Sequence, residues 1–212
     1  MKSRHGMTLI ELVVALAITG IAITTGYQAY ATISDRRSVA AARADSTAEA
    51  FAIRETLASW LSNARLTIEE DEVVFRAVEA AKGPGSKRQA STDLVFLTSA
   101  RSPVSTHGTI VHLFVGSDSV DNGLTAELSE WRGRRVARLH LDPAIAGIAV
   151  EFSASRGSRG GSTSSWVSST ILPPTMRLRF APRPTDSLPP LLRLPLTIHL
   201  GAPTSLNSRG MP

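Results

Sequence analysis

Gly6-Met7-Thr8-Leu9-Ile10-Glu11-Leu12 opens the stretch on which the reading of the whole chain turns. From Leu12 to Ser34 there are 23 residues without a charge. At about 1.5 Å of rise per residue, a helix of that length covers about 35 Å, enough to cross a hydrocarbon core of about 30 Å. Gly20, Gly26 and many β-branched residues lie inside the run, and helices in lipid tolerate both better than helices in water. Glu11 stands at its head. A charge at the centre of a membrane helix costs about 2.5–3.5 kcal/mol on insertion scales, so an acid in such a segment is read as functional.

Upstream, residues 1–6 form a short basic leader containing Lys2 and Arg4. These favour a cytoplasmic N-terminus, and Arg36 and Arg37 beyond the run act in the opposite sense. A cleavable secretory signal would use Ala29-Tyr30-Ala31 as its small-residue cleavage site. The apolar run is long for that purpose, and Glu11 lies at its head. A plain single-pass anchor explains the length but leaves the order Gly-Met-Thr-Leu-Ile-Glu without a reason.

Downstream, Val39, Ala42, Ser46, Ala50, Ile53, Leu57, Trp60 and Ala64 recur at three- and four-residue steps, with Arg36, Arg43, Glu49 and Glu55 mostly off that stripe. The first proline is Pro84. The spacing predicts one helix from about Thr8 to about Ala64, apolar all round first and amphipathic afterwards. The amphipathic half needs a partner face. After it the period changes to two, and strands are expected at 73–78, 93–98, 109–115, 124–131, 134–141, 147–153, 166–171, 175–180 and 191–200. Turn-rich segments at 82–92, 117–123, 155–164 and 181–190 separate several of them. Short connections favour hairpins and an antiparallel sheet. The expected organisation is a leader (1–6), a transmembrane half-helix (7–34), an amphipathic half-helix (35–66), a β-rich domain (67–201) and a loose tail (202–212).

Composition narrows the function. Apolar residues make up 42 % and charged residues 19 % of the chain, which excludes a disordered protein. There is no cysteine, so disulfides, thiolate metal sites and cysteine nucleophiles are excluded. The net charge of +5 falls to +3 without Lys2 and Arg4. The basic residues are scattered and mostly arginine, and no nucleic-acid-binding module is recognisable. His107, His112, His140 and His199 have no metal-ligand spacing and read as ordinary strand or loop residues. Gly83-Pro84-Gly85-Ser86-Lys87 lacks the spacer and following helix of a phosphate loop. Asp118, Asp121 and Asn122 offer oxygen atoms to calcium, but not at EF-hand spacing. Glu69-Glu70-Asp71-Glu72 reads as a solvated turn. No serine lies in a nucleophile-elbow motif. No cofactor and no catalytic residue are expected.

Gly6-Met7-Thr8-Leu9-Ile10-Glu11-Leu12 resembles the type IV prepilin signature, a glycine, a cleavage point, an apolar residue and a glutamate fifth in the mature chain. The resemblance implies an α+β, pilin-like fold, with the long N-terminal helix packed on an antiparallel sheet domain. It implies that a membrane-embedded prepilin peptidase cuts between Gly6 and Met7, that the new α-amine of Met7 is N-methylated, and that Glu11 guides filament assembly. A carboxylate in lipid is stabilised by meeting the positive α-amine of a neighbouring subunit.

Within the bacterial pilin-like proteins, the C-terminal part resembles the J-type minor pseudopilin of type II secretion. The features are Ile148-Ala149-Val150-Glu151-Phe152, a Gly/Ser-rich loop, Trp166, Leu172-Pro173-Pro174 leading into Met176-Arg177-Leu178-Arg179-Phe180, and Leu194-Pro195-Leu196. That resemblance implies a non-enzymatic subunit at the pseudopilus tip. It would be anchored in the bacterial inner membrane with its C-terminal domain in the periplasm. Its partners would be the I-type and K-type minor pseudopilins, the major pseudopilin and the inner-membrane assembly platform. A minor pilin of a type IV pilus, used for adhesion, motility or DNA uptake, is the close alternative. A signal-anchored exported enzyme or binding protein is the alternative of another class.

Overall fold

The computed structural model describes residues 9–66, 75–79, 91–116, 122–153, 162–168 and 171–200. Helix α1 covers Leu9–Ser62. No proline interrupts it, and alanine and other good helix formers dominate its second half. The chain divides into two compact units, Met1–Ser46 and Thr47–Pro212. In the first, the described residues are helix throughout, and none of them is buried.

The second unit contains the rest of α1 and two antiparallel sheets. The larger sheet has seven strands. β1 (Ala64–Arg65), β2 (Phe75–Glu79), β3 (Thr92–Thr98), β4 (Thr109–Gly116), β5 (Gly123–Glu130), β6 (Val136–Asp142) and β9 (Trp166–Ser168) run in the order β6-β5-β4-β3-β2-β9, with β1 also paired to β3. The smaller sheet has the order β11-β10-β7-β8, from β7 (Ile145–Ser153), β8 (Ser162–Thr163), β10 (Thr175–Pro182) and β11 (Leu196–His199).

Alternation decides which face is buried. In the larger sheet the register aligns Phe75, Phe96, Val111, Leu128 and Ala137 in one row and Ala77, Leu94, Leu113, Ala126 and Leu139 in the next. In the smaller sheet Met176, Leu178 and Phe180 lie opposite Phe152, Val150 and Ile148, and Leu196 and Ile198 flank them from β11. Aromatic contacts join the two sheets. Phe75 meets Phe96 at 6.5 Å and Phe152 at 6.2 Å between ring centroids, and Phe152 meets Trp166 at 5.8 Å.

Ala50, Ile53, Leu57, Trp60 and Leu61 of α1 belong to the same core. Their three- and four-residue steps make one stripe, and a fully buried leucine, isoleucine or methionine contributes about 1.5–3 kcal/mol. The end of the helix is fixed by polar contacts. Thr98 Oγ1 donates to the Trp60 carbonyl at 2.7 Å, and the Ser99 amide donates to the Asn63 carbonyl at 3.1 Å. Carbonyls at a helix C-terminus have no partner within the helix, and β3 supplies them here.

The α+β architecture is the expected one: a long N-terminal helix followed by an antiparallel sheet domain, consistent with a pilin-like fold. Several details differ from the sequence expectation. Ala64, expected in the helix, belongs to β1. The strand expected at 191–200 is instead helix α2 (Pro190–Arg193) followed by β11. The apolar run Leu191-Leu192 fits either period, and Pro190 in the first helical turn presets the backbone for a helix. Trp131 and the two arginines at 134–135 lie in the β5–β6 turn, where Arg132 has φ 59°. β9 ends at Ser168, and the Ile171 carbonyl accepts from Trp166 Nε1 at 3.1 Å. Residues 1–8, 69–72, 83–87, 117–121 and the tail, each singled out in the sequence, lie outside the described residues, as does most of 155–164.

Candidate functional site

Glu11 lies in the first turn of α1. A carboxylate is favoured there by the positive end of the helix dipole. Glu11 shares one helix surface with Ile10, Val14, Ala15 and Ile18. Gly6 and Met7, the other two residues of the signature, lie outside the described residues.

The helix around Glu11 is apolar and uncovered. Leu9, Ile10, Leu12, Leu16, Ile18, Ile21 and Ile23 are each more than half exposed. An 18-residue window of α1 has a mean hydropathy of 2.0 and no buried residue, so the helix is long and apolar enough to cross a membrane. So continuous an apolar surface marks a membrane or protein contact. The polar side chains inside the run are partnered locally. Thr19 Oγ1 donates to the Ala15 carbonyl at 2.7 Å, Thr25 Oγ1 to that of Ile21 at 2.8 Å, and Thr32 Oγ1 to that of Gln28 at 2.9 Å. Thr24 Oγ1 bonds within the same turn. Hydroxyls satisfied by their own helix need no water.

The structure divides the amphipathic stripe between two environments. Ala50, Ile53, Leu57, Trp60 and Ala64 are buried by this chain's own sheets. Val39 and Ala42 are exposed and Ser46 is half-buried. The spacing is the same on both sides of Ser46, so periodicity alone could not mark the boundary.

The residues of the downstream resemblance come together around the smaller sheet. Ile148–Phe152 and Met176–Phe180 pair as neighbouring strands, and Trp166 packs on Phe152. Leu172-Pro173-Pro174 leads into β10, and Leu194-Pro195 precedes β11. The sequence gave no signal for what holds the last of these. Arg54 of α1 donates to the carbonyls of Leu191 at 2.9 Å, Leu194 at 2.6 Å and Pro195 at 3.3 Å. One guanidinium thus ties the helix to the end of α2 and the entry of β11, using a fork of donors that lysine lacks.

The remaining candidates do not converge. Among the described residues no three His, Asp or Glu side chains form a metal-binding group. His112 packs against Phe114 at 4.8 Å, His199 Nδ1 lies 3.2 Å from Thr175 Oγ1, and His140 Nδ1 lies 3.5 Å from Thr125 Oγ1. Asn122 Oδ1 accepts from Arg183. Asp118 and Asp121 lie outside the described residues.

The geometry therefore reduces to an exposed apolar helix with an acid in its first turn, followed by a packed β domain. Residues 1–27 match the prokaryotic N-terminal methylation motif. The match supports a type IV pilin-like protein. It implies processing by a prepilin peptidase and assembly with other pilins, and with the apolar helix it suggests anchoring in the inner membrane. A structural rather than an enzymatic role fits a pilin-like protein. No curated protein matches the chain.

Proposed function

We propose that this pilin-like chain is a minor pseudopilin of a type II secretion system, working at the pseudopilus tip by assembly. The observation that carries the proposal is the methylation motif at the head of an uncovered apolar helix that enters an antiparallel β domain. The downstream residues from Ile148 to Leu196 support the J-type assignment, because the elements that carry that resemblance are neighbours in and around one sheet. In this reading the prepilin peptidase cuts between Gly6 and Met7, and Met7 is N-methylated. Residues 7–34 cross the inner membrane, and the β-rich domain is periplasmic. Glu11 sets the register by meeting the α-amine of a neighbouring subunit's first residue, since an acid in lipid is stabilised by an opposite charge. The neighbours are the I-type and K-type minor pseudopilins and the major pseudopilin, assembled on the inner-membrane platform.

The mass of the mature N-terminus tests the processing. A chain that begins with methylated Met7 is expected, and a Gly6 substitution should leave an unprocessed precursor. A chain beginning at Thr32 would show a secretory signal instead. Glu11→Ala should impair filament assembly while the β domain keeps its thermal melting. Co-purification decides the subtype. Recovery with I-type and K-type pseudopilins is expected, and recovery only with type IV pilus subunits would replace the pseudopilin assignment.

A further inference from the structure

The β5–β6 hairpin and the outer edge of β6 are not used by the reading above. From Trp131 to Leu141 the chain carries four arginines, Arg132, Arg134, Arg135 and Arg138, and no carboxylate. Three of them sit at the hairpin tip and are exposed. The tip is firmly built. The Glu130 amide donates to the Arg135 carbonyl at 2.9 Å, the Trp131 amide donates to that of Gly108 at 3.0 Å, and the Arg132 guanidinium lies 6.0 Å from the Trp131 ring centroid. Arg138 is paired across the ladder with Glu127 at 2.7 Å, which leaves the tip as the basic part of the hairpin.

β6 is the last strand of its sheet and, among the described residues, pairs only with β5. Its register is regular from Val136 to His140, and the irregularity lies beyond, between Leu124 and Thr125 of β5. A regular edge strand presents alternate backbone N–H and C=O groups that can accept another strand. Val136 is 64 % exposed beside the arginines.

We infer that the β6 edge and its arginine tip dock an acidic, extended segment of another protein, which adds to the larger sheet as a strand. Two properties select this occupant. The ladder groups of the edge can be satisfied only by a polypeptide backbone, and the guanidinium groups pair with carboxylates in bidentate geometry. A nucleic acid offers charge without the ladder. A second copy pairing edge to edge through β6 sets arginine near arginine, which is unfavourable. The other edge strands of this chain among the described residues, β8, β9 and β11, contain no carboxylate.

The test uses the full chain in detergent micelles and a fluorescent peptide of about ten residues alternating glutamate and threonine, a length that covers one edge strand. Binding is expected by anisotropy, with slower amide exchange along 136–141. Arg134→Glu combined with Arg135→Glu should weaken binding at least about tenfold. If that variant melts at a lower temperature, Arg134→Gln with Arg135→Gln serves in its place. The same peptide N-methylated at every second residue keeps the charge but cannot form the ladder, so it should bind much more weakly. Equal binding of the methylated peptide, or of a short DNA duplex, would show a general polyanion surface and overturn the proposal. Absence of peptide binding would show that the arginines only protect the edge, and would overturn it as well.

Discussion

The two parts of α1 on either side of Ser46 share one helical geometry and differ in what covers them. Between Leu9 and Glu49 no residue is buried, whereas Ala50, Ile53, Leu57, Trp60 and Leu61 are in the core. The first part meets its polar needs within itself, through threonine hydroxyls bonded to carbonyls of the preceding turn. The second part meets them through distant residues, Thr98 on one side and the carbonyls around Leu194 on the other. The difference teaches that one helix can carry a segment built for a changeable environment and a segment fixed to its own domain. Tertiary partners, rather than helix propensity, make that distinction.

Matched substitutions in the two parts can break this comparison. The largest effect is expected for Leu57→Ala, which leaves a cavity at a fully buried site and should destabilise the domain by about 2–5 kcal/mol. Leu16→Ala, at a site 64 % exposed, should leave the domain's denaturant midpoint unchanged. Equal shifts for both would show that the domain depends on the whole helix. Next comes Arg54→Ala. Losing a charged donor to three carbonyls should cost about 1.5–3 kcal/mol, with faster amide exchange around α2 and β11. Arg37→Ala, in the first part, should alter neither. Thr98→Val removes one buried hydroxyl and should cost about 1–2 kcal/mol by thermal melting, because the Trp60 carbonyl loses its donor. Thr24→Val should not lower that melting temperature, since its hydroxyl serves only its own helix. The smallest effect is expected for Glu151→Gln, which removes a partly exposed pair with Arg179 at 3.2 Å and should change stability by less than about 1 kcal/mol.

The sequence made some of this legible and could not reveal the rest, for physical reasons. The apolar run and Glu11 were legible because lipid imposes length and lack of charge on consecutive residues. Most strands were legible because each buried face recurs every second residue, as in Met176, Leu178 and Phe180. Helix α2 was not, because a short run of leucines suits strand and helix alike and Pro190 is what decides between them. The role of Arg54 was not, because its acceptors lie 137 to 141 residues along the chain. The boundary at Ser46 was not, because it depends on how far the sheets reach along the helix. Of the signature, only Glu11 falls among the described residues, so Gly6 and Met7 are read from the motif alone.

The clamp made by Arg54 also sets an order of events. Its acceptors and the buried residues Leu196, Ile198 and Leu200 are near the end of the described chain. Chains are made from the N-terminus at about 5–20 residues per second. The helix is therefore complete many seconds before the last strand that covers it has been synthesised. During that interval Leu57 and Trp60 lack their final cover, and the domain can close only when its last strand arrives. A nascent chain stopped short of Leu196 would present the helix stripe open, which places the vulnerable moment of this protein late in its synthesis.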